Sequence, residues 1–109
     1  MLRIYEDIIQ FVRVMAPVVR SVERQDRHLG DQMKRALQSI ALNTAEGMQS
    51  RGGNRAAKYH VAAGSAQELS CCIDLAEAFG YGTNVTKRER DKLRQIIGTM
   101  LKLSGVGKG

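Results

Sequence analysis

Tryptophan is absent from these 109 residues, proline occurs once, and aromatics make up 5%. One proline and so few aromatics argue against a many-turned all-β domain. The apolar runs fall far short of the roughly 20 residues that span a bilayer. No basic stretch leads into an apolar one, so no signal peptide is read, and a cytoplasmic protein is expected. The two cysteines, Cys71 and Cys72, are adjacent. On a helix such neighbours point about 100° apart, too divergent to bridge each other. No second pair exists to complete a zinc site, and both are expected to be reduced. No metal or cofactor is expected.

The chain does have apolar content, 43%, and positive charge, 17 Lys+Arg against 11 Asp+Glu, for a net +6. The apolar content suffices for a core and excludes wholesale disorder. The charge would attract nucleic acid, an anionic membrane or an acidic partner protein, or be incidental to a soluble surface.

The apolar residues recur at helical spacing in four segments. Ile4, Ile8, Phe11, Met15, Val18 and Val22 draw one stripe along residues 4–22. Ile9, Val12, Val14, Ala16 and Val19 widen it past half the circumference. A surface helix buries about a third of its face, so the excess predicts burial both inside the subunit and between subunits. Pro17 lacks a donor and is expected to kink or break this helix.

Residues 23–30 read as a polar connection ending in glycine. Asp31 is placed as the cap of a second helix running to Met48, with Met33, Ala36, Leu37, Ile40 and Thr44 inward. Ser50 to Asn54 form a breaker cluster. Asn54 would cap a third helix over 55–79, with Tyr59, Ala62, Ala66, Leu69, Ile73 and Ala76 inward and Gly80 just past its end. Gly64, costly inside a helix, predicts a close helix crossing. Thr86 and Glu89 form a capping box opening a fourth helix, with Leu93, Ile96, Ile97, Met100 and Leu103 inward. Residues 1–103 thus read as one all-α unit, an antiparallel up-down four-helix bundle, and 104–109 as a loose tail.

Two groups of polar residues stand out. On the second helix Gln32, Ser39, Asn43 and Glu46 form a row beside the apolar face, with Arg35 close by. The row is either a hydrogen-bond network holding register or a site centred on Glu46 as base or metal ligand. No Glu-x-x-His pair accompanies it, and neither His28 nor His60 has a metal-spaced partner. The second group is basic. Arg51, Arg55 and Lys58 cluster at the second turn, and Arg88, Lys92 and Arg94 lie on the fourth helix. Residues 59–86 contain no Lys or Arg. These six cations are candidates for phosphate contact, or they are an ordinary solvated face. Few aromatics accompany them, so base stacking is not implied.

Asp31-Gln32-Met33-Lys34-Arg35-Ala36, then Ser39-Ile40, Asn43 and Ala45-Glu46-Gly47, resemble the D-Q-x-x-R-A-x-x-S-I-x-x-N-x-A-E-G stretch of a bacterial four-helix-bundle family. Ala63-Gly64-Ser65-Ala66-Gln67-Glu68-Leu69 and Gly80-Tyr81 look like its A-x-G-S-x-x-E-L and G-Y. This family includes the proteins encoded by intervening sequences in large-subunit ribosomal RNA genes. It is related to the accessory variability proteins of diversity-generating retroelements. The resemblance implies a bundle that assembles as a ring of five; it does not imply an enzyme, and a non-catalytic protein is expected. The retroelement relatives bind nucleic acid and a reverse transcriptase, so RNA, DNA or such a protein partner is an expectation here. Gln32, Arg35, Ser39, Asn43, Glu46, Ser65 and Glu68 match the family's polar positions, and the resemblance makes none of them catalytic.

Overall fold

The computed structural model describes residues 3–105. They form four helices: α1 (Arg3–Gln25), α2 (Arg27–Gln49), α3 (Gly52–Ala78) and α4 (Lys87–Leu103). Each helix packs along the next in sequence, and a slimmer contact between α1 and α4 closes the bundle. It measures 42 × 26 × 23 Å. The expected all-α up-down architecture is what the chain adopts. Of the tail expected over 104–109, Ser104 and Gly105 form a turn; 106–109 lie outside the described residues.

Inward faces follow the periodicity. Ile8, Met15, Val22, Met33, Ile40, Leu69, Ile73, Leu93, Ile96 and Met100 are fully buried. Thr44 joins them because its hydroxyl donates to the Ile40 carbonyl at 2.7 Å, which satisfies it inside the core. Leu103 departs from expectation: it is 41% exposed, in the last turn of α4 beyond the packed core. Pro17 does not break α1, which continues through it with the ring exposed.

The first chain reversal is tighter than the sequence suggested. No loop spans 23–30; Asp26 is the single residue between the two helices. Asp26, not Asp31, is the cap, and its Oδ1 accepts from the Leu29 N–H at 3.0 Å. Asp31 instead pairs with Arg35. So sharp an elbow presses α2 against α1, and Gly30 is what allows it. A methyl there would overlap Glu23 Cγ and lie 2.7 Å from Glu23 Cα. Gly47 similarly faces the Tyr59 ring, where a methyl would come to 2.8 Å of Cε1. These two glycines mark the close approaches. Gly64 does not: it is exposed, with nothing of its own chain within 4 Å of a methyl.

At the second turn Asn54 lies inside α3, and Arg51 is the capping residue, without a side-chain cap bond. Helix α3 ends as expected on Gly80, whose φ of +83° suits glycine. The Gly80 N–H donates to the Glu77 carbonyl and the Tyr81 N–H to the Ala76 carbonyl, the paired bonds of a Schellman end. The connection from 79 to 86 then folds back across the elbow. Ser21 and Gln25 both donate to the Gly82 carbonyl, and the Tyr81 hydroxyl donates to Asp26 Oδ2 at 3.0 Å. Helix α4 opens with the Thr86 N–H donating to Glu89 Oε1 at 3.0 Å.

Candidate functional site

The polar row of α2 divides into separate local arrangements. Ser39 Oγ lies 2.6 Å from Ser65 Oγ on α3, and Asn43 Nδ2 donates to the Ser39 carbonyl at 2.9 Å and to Ser39 Oγ at 3.1 Å. These three half-buried residues stitch α2 to α3. Glu46 lies farther along, 2.8 Å from Lys58 Nζ, with 56% of its side chain exposed. Arg35 is engaged with Asp31, and Gln32 Nε2 lies 3.1 Å from His28 Nε2. Glu68 is exposed and makes no ion pair or hydrogen bond among the described residues. The seven family-matching positions therefore converge only at Ser39, Asn43 and Ser65. A solvated, cation-paired Glu46 is poorly placed as a general base, since nothing aims it into an enclosed space. Among the described residues no group of three His, Cys, Asp or Glu side chains is placed to hold a metal.

Most of the six basic candidates are occupied within the chain. Lys58 pairs with Glu46, Lys92 with Asp7 at 3.4 Å, and Arg94 with Asp91 at 3.1 Å. Arg55 Nε donates to the Gly47 and Ser50 carbonyls at 3.1 and 2.9 Å. It thereby caps the C-terminal end of α2, where carbonyls lack helical partners. Arg51 and Arg88 are exposed and carry no ion pair among the described residues. They stand at the starts of antiparallel helices, hence towards opposite ends of the bundle. The structure does not gather the six into one strip.

Hydrogen bonds, neighbouring charges and burial shift the acidity of several groups here. The Lys87 ammonium, then Arg94, hold Asp91 below the usual carboxylate range. Hydrogen bonds to Asp74 and Glu77 raise Arg90 further, fastening α4 to the end of α3. Burial pushes the Cys72 thiol up, which keeps it protonated and unreactive, whereas Cys71 is exposed.

A broad apolar feature lies elsewhere, on the outer side of α1 and α2. Tyr5, Ile9, Val12 and Ala16 face Ala41 and Leu42 across a shallow groove. Its lining is predominantly apolar, and Leu42 is 63% exposed. This is the surplus apolar face of the first helix: Ile8, Phe11, Met15 and Val22 go inward, while Ile9, Val12 and Ala16 are left half-buried beside open solvent. Arg20 and Lys34 stand on the rim. Arg13 lies seven residues before Arg20, on the same edge of α1. The sequence reading passed over these three cations, although the seven-residue spacing of the two arginines was there to be seen.

The sequence profile of the family described as 23S rRNA-intervening sequence protein matches residues 1–103. The chain belongs to that family. The match runs from before the first described residue to the last residue of α4, so the whole bundle is the family's unit. No curated protein and no solved structure matches the chain. Membership in the 23S rRNA-intervening sequence protein family carries no indication of catalysis. Among the described residues, no helix is long and apolar enough to cross a membrane.

Proposed function

We propose that this 23S rRNA-intervening sequence protein is a non-catalytic, self-assembling subunit, and that its α1–α2 groove is covered by another copy of the chain. The observation that carries this reading is the groove itself, an apolar surface on the outside of a bundle whose core is already complete. Exposed Leu42 and half-buried Ile9 and Val12 gain by further burial at about 25 cal/mol per Å² of apolar area. The family resemblance sets the expected number of subunits at five. Light scattering coupled to size exclusion tests the reading: the mass is expected at about five times the 12.1 kDa of one chain. Leu42→Glu, which puts a charge in the groove without touching the core, is expected to shift the mass towards one chain. A wild-type protein that stays monomeric at micromolar concentration would remove the proposal.

A second reading, nucleic-acid binding, is favoured by the exposed guanidinium groups of Arg51 and Arg88, which have no ion pair among the described residues. A ring would repeat each of them, so individually weak phosphate contacts would add by avidity. Such binding is sequence-tolerant and falls steeply with salt. Titration of labelled single-stranded and duplex RNA and DNA at two salt concentrations tests it. Arg51→Ala is expected to lower the salt slope, and absence of binding at low salt leaves assembly as the function.

A further inference from the structure

Helix α3 is apolar on two sides. Its inner stripe belongs to the core. Its outer face carries Val61, Gly64, Glu68, Cys71 and Leu75, spaced 3, 4, 3 and 4, and all five are exposed. Val61 and Leu75 each have 48% of their surface in water. Alternation of three and four is the spacing that forms a seam between two helices. Among the described residues no helix lies over this face. Gly64, at its centre, lets a neighbouring backbone come close.

The charges on this face and around the groove are opposite in sign. Residues 59–86 contain three carboxylates and no Lys or Arg. Arg90 takes up two of them, Asp74 and Glu77, which leaves Glu68 unneutralised in the middle of the outer face. On the rim of the α1–α2 groove stand Arg20 and Lys34, and Arg13 lies two turns earlier on the same edge of α1; all three are exposed and without ion pairs among the described residues. Glu23 shares the rim but forms no ion pair with them. Lengths also agree. Val61 to Leu75 spans about 21 Å of helix, and the α1 wall of the groove from Tyr5 to Arg20 about 22 Å.

We infer that the outer face of α3 from one copy docks in the α1–α2 groove of the next, with Glu68 set among Arg13, Arg20 and Lys34. This rests on the assembly reading above and names its two surfaces. Because the patches differ, the contact is head-to-tail, the kind that closes into a ring and not the self-complementary kind of a two-fold dimer.

Charge reversal tests the pairing. Glu68→Arg alone, and Arg13→Glu with Arg20→Glu alone, are each expected to drop the mass in light scattering towards that of one chain. All three changes in one chain are expected to restore the assembly. These positions are exposed, and circular dichroism verifies that each variant is folded. Thiol labelling gives a readout that needs no variant: Cys71 is expected to react slowly in the assembled protein and quickly once dilution separates the subunits. A monomeric wild type would overturn the assembly reading itself. An oligomeric wild type whose mass ignores both reversals, or whose Cys71 labels at one rate in both states, would overturn this pairing alone. So would single reversals that dissociate the protein with no recovery in the combined chain.

Discussion

Replacing glycine by alanine in the interior of a helix normally stabilises a protein, and at Gly30 the structure predicts the reverse. Alanine there gains at most about 1 kcal/mol in helix propensity. Its methyl would overlap Glu23 Cγ and sit 2.7 Å from Glu23 Cα and 2.8 Å from its backbone nitrogen. Side-chain carbons can rotate away, but the backbone of α1 cannot, because the Asp26 elbow leaves no slack between the helices. Forcing them apart is overpacking, which costs about 1–3 kcal/mol and more where backbone must move. The expected net effect is a loss of about 1–2 kcal/mol. Gly98 is the control: it too is helical, is exposed, and has nothing within 4 Å of an added methyl. Gly98→Ala should gain about 0.5–1 kcal/mol. One kcal/mol shifts Tm by roughly 4–8 °C in a domain of this size. Thermal melts followed by circular dichroism, at one fixed protein concentration, should show the two variants moving in opposite directions. A Gly30→Ala protein that melts at or above wild type would refute the close-packed elbow.

Two further predictions concern the hydrogen bonds. Asp26 is held below its ordinary 3.8 first by the Leu29 N–H, then by the Tyr81 hydroxyl. A lowered folded value means stability present above pH 3.8 and lost as pH falls through the folded value. Asp26→Asn keeps a capping oxygen and abolishes that titration. The Tm advantage of wild type over the variant should therefore shrink between pH 5 and pH 2, and an unchanging gap would refute the assignment. Asn43→Ala should cost about 0.5–1.5 kcal/mol through its bonds to Ser39. Glu46→Ala, removing a largely solvated pair, should cost less than about 1 kcal/mol. Chemical denaturation decides the order, and the opposite ranking would count against a structural network at Ser39, Asn43 and Ser65.

The four helices and most inward residues were legible because burial imposes a period, and a period needs only local sequence. The misreadings share one cause. Gly30 looked like a helix terminator because glycine ends helices more often than it lets them touch, and only the facing Glu23 reveals which role applies. The same holds for Gly64, where no neighbour exists within the subunit. The basic positions could be placed on faces from their spacing. Their neutralisation could not, since Asp7 is 85 residues from Lys92 and Glu46 is across a turn from Lys58. The apolar groove was visible as surplus width on the first helix. What the sequence hid was the second apolar face of α3, because the stripe from Tyr59 to Ala76 already accounted for the helix's burial and Val61 and Leu75 lie outside it.

The one-residue elbow also dictates where the chain can change in length. An extra residue in either helix beside Asp26 would turn everything beyond it by about 100°. Met33, Leu37 and Ile40 would swing out of the core, and the α1–α2 groove would lose its second wall. The turn at Arg51 to Gly53 is exposed on every residue and has Gly52 at a φ of +56°. Additional residues there would be spent in solvent, with both helices left in register. Insertions and deletions among relatives of this chain should accordingly collect at the second turn and spare the first.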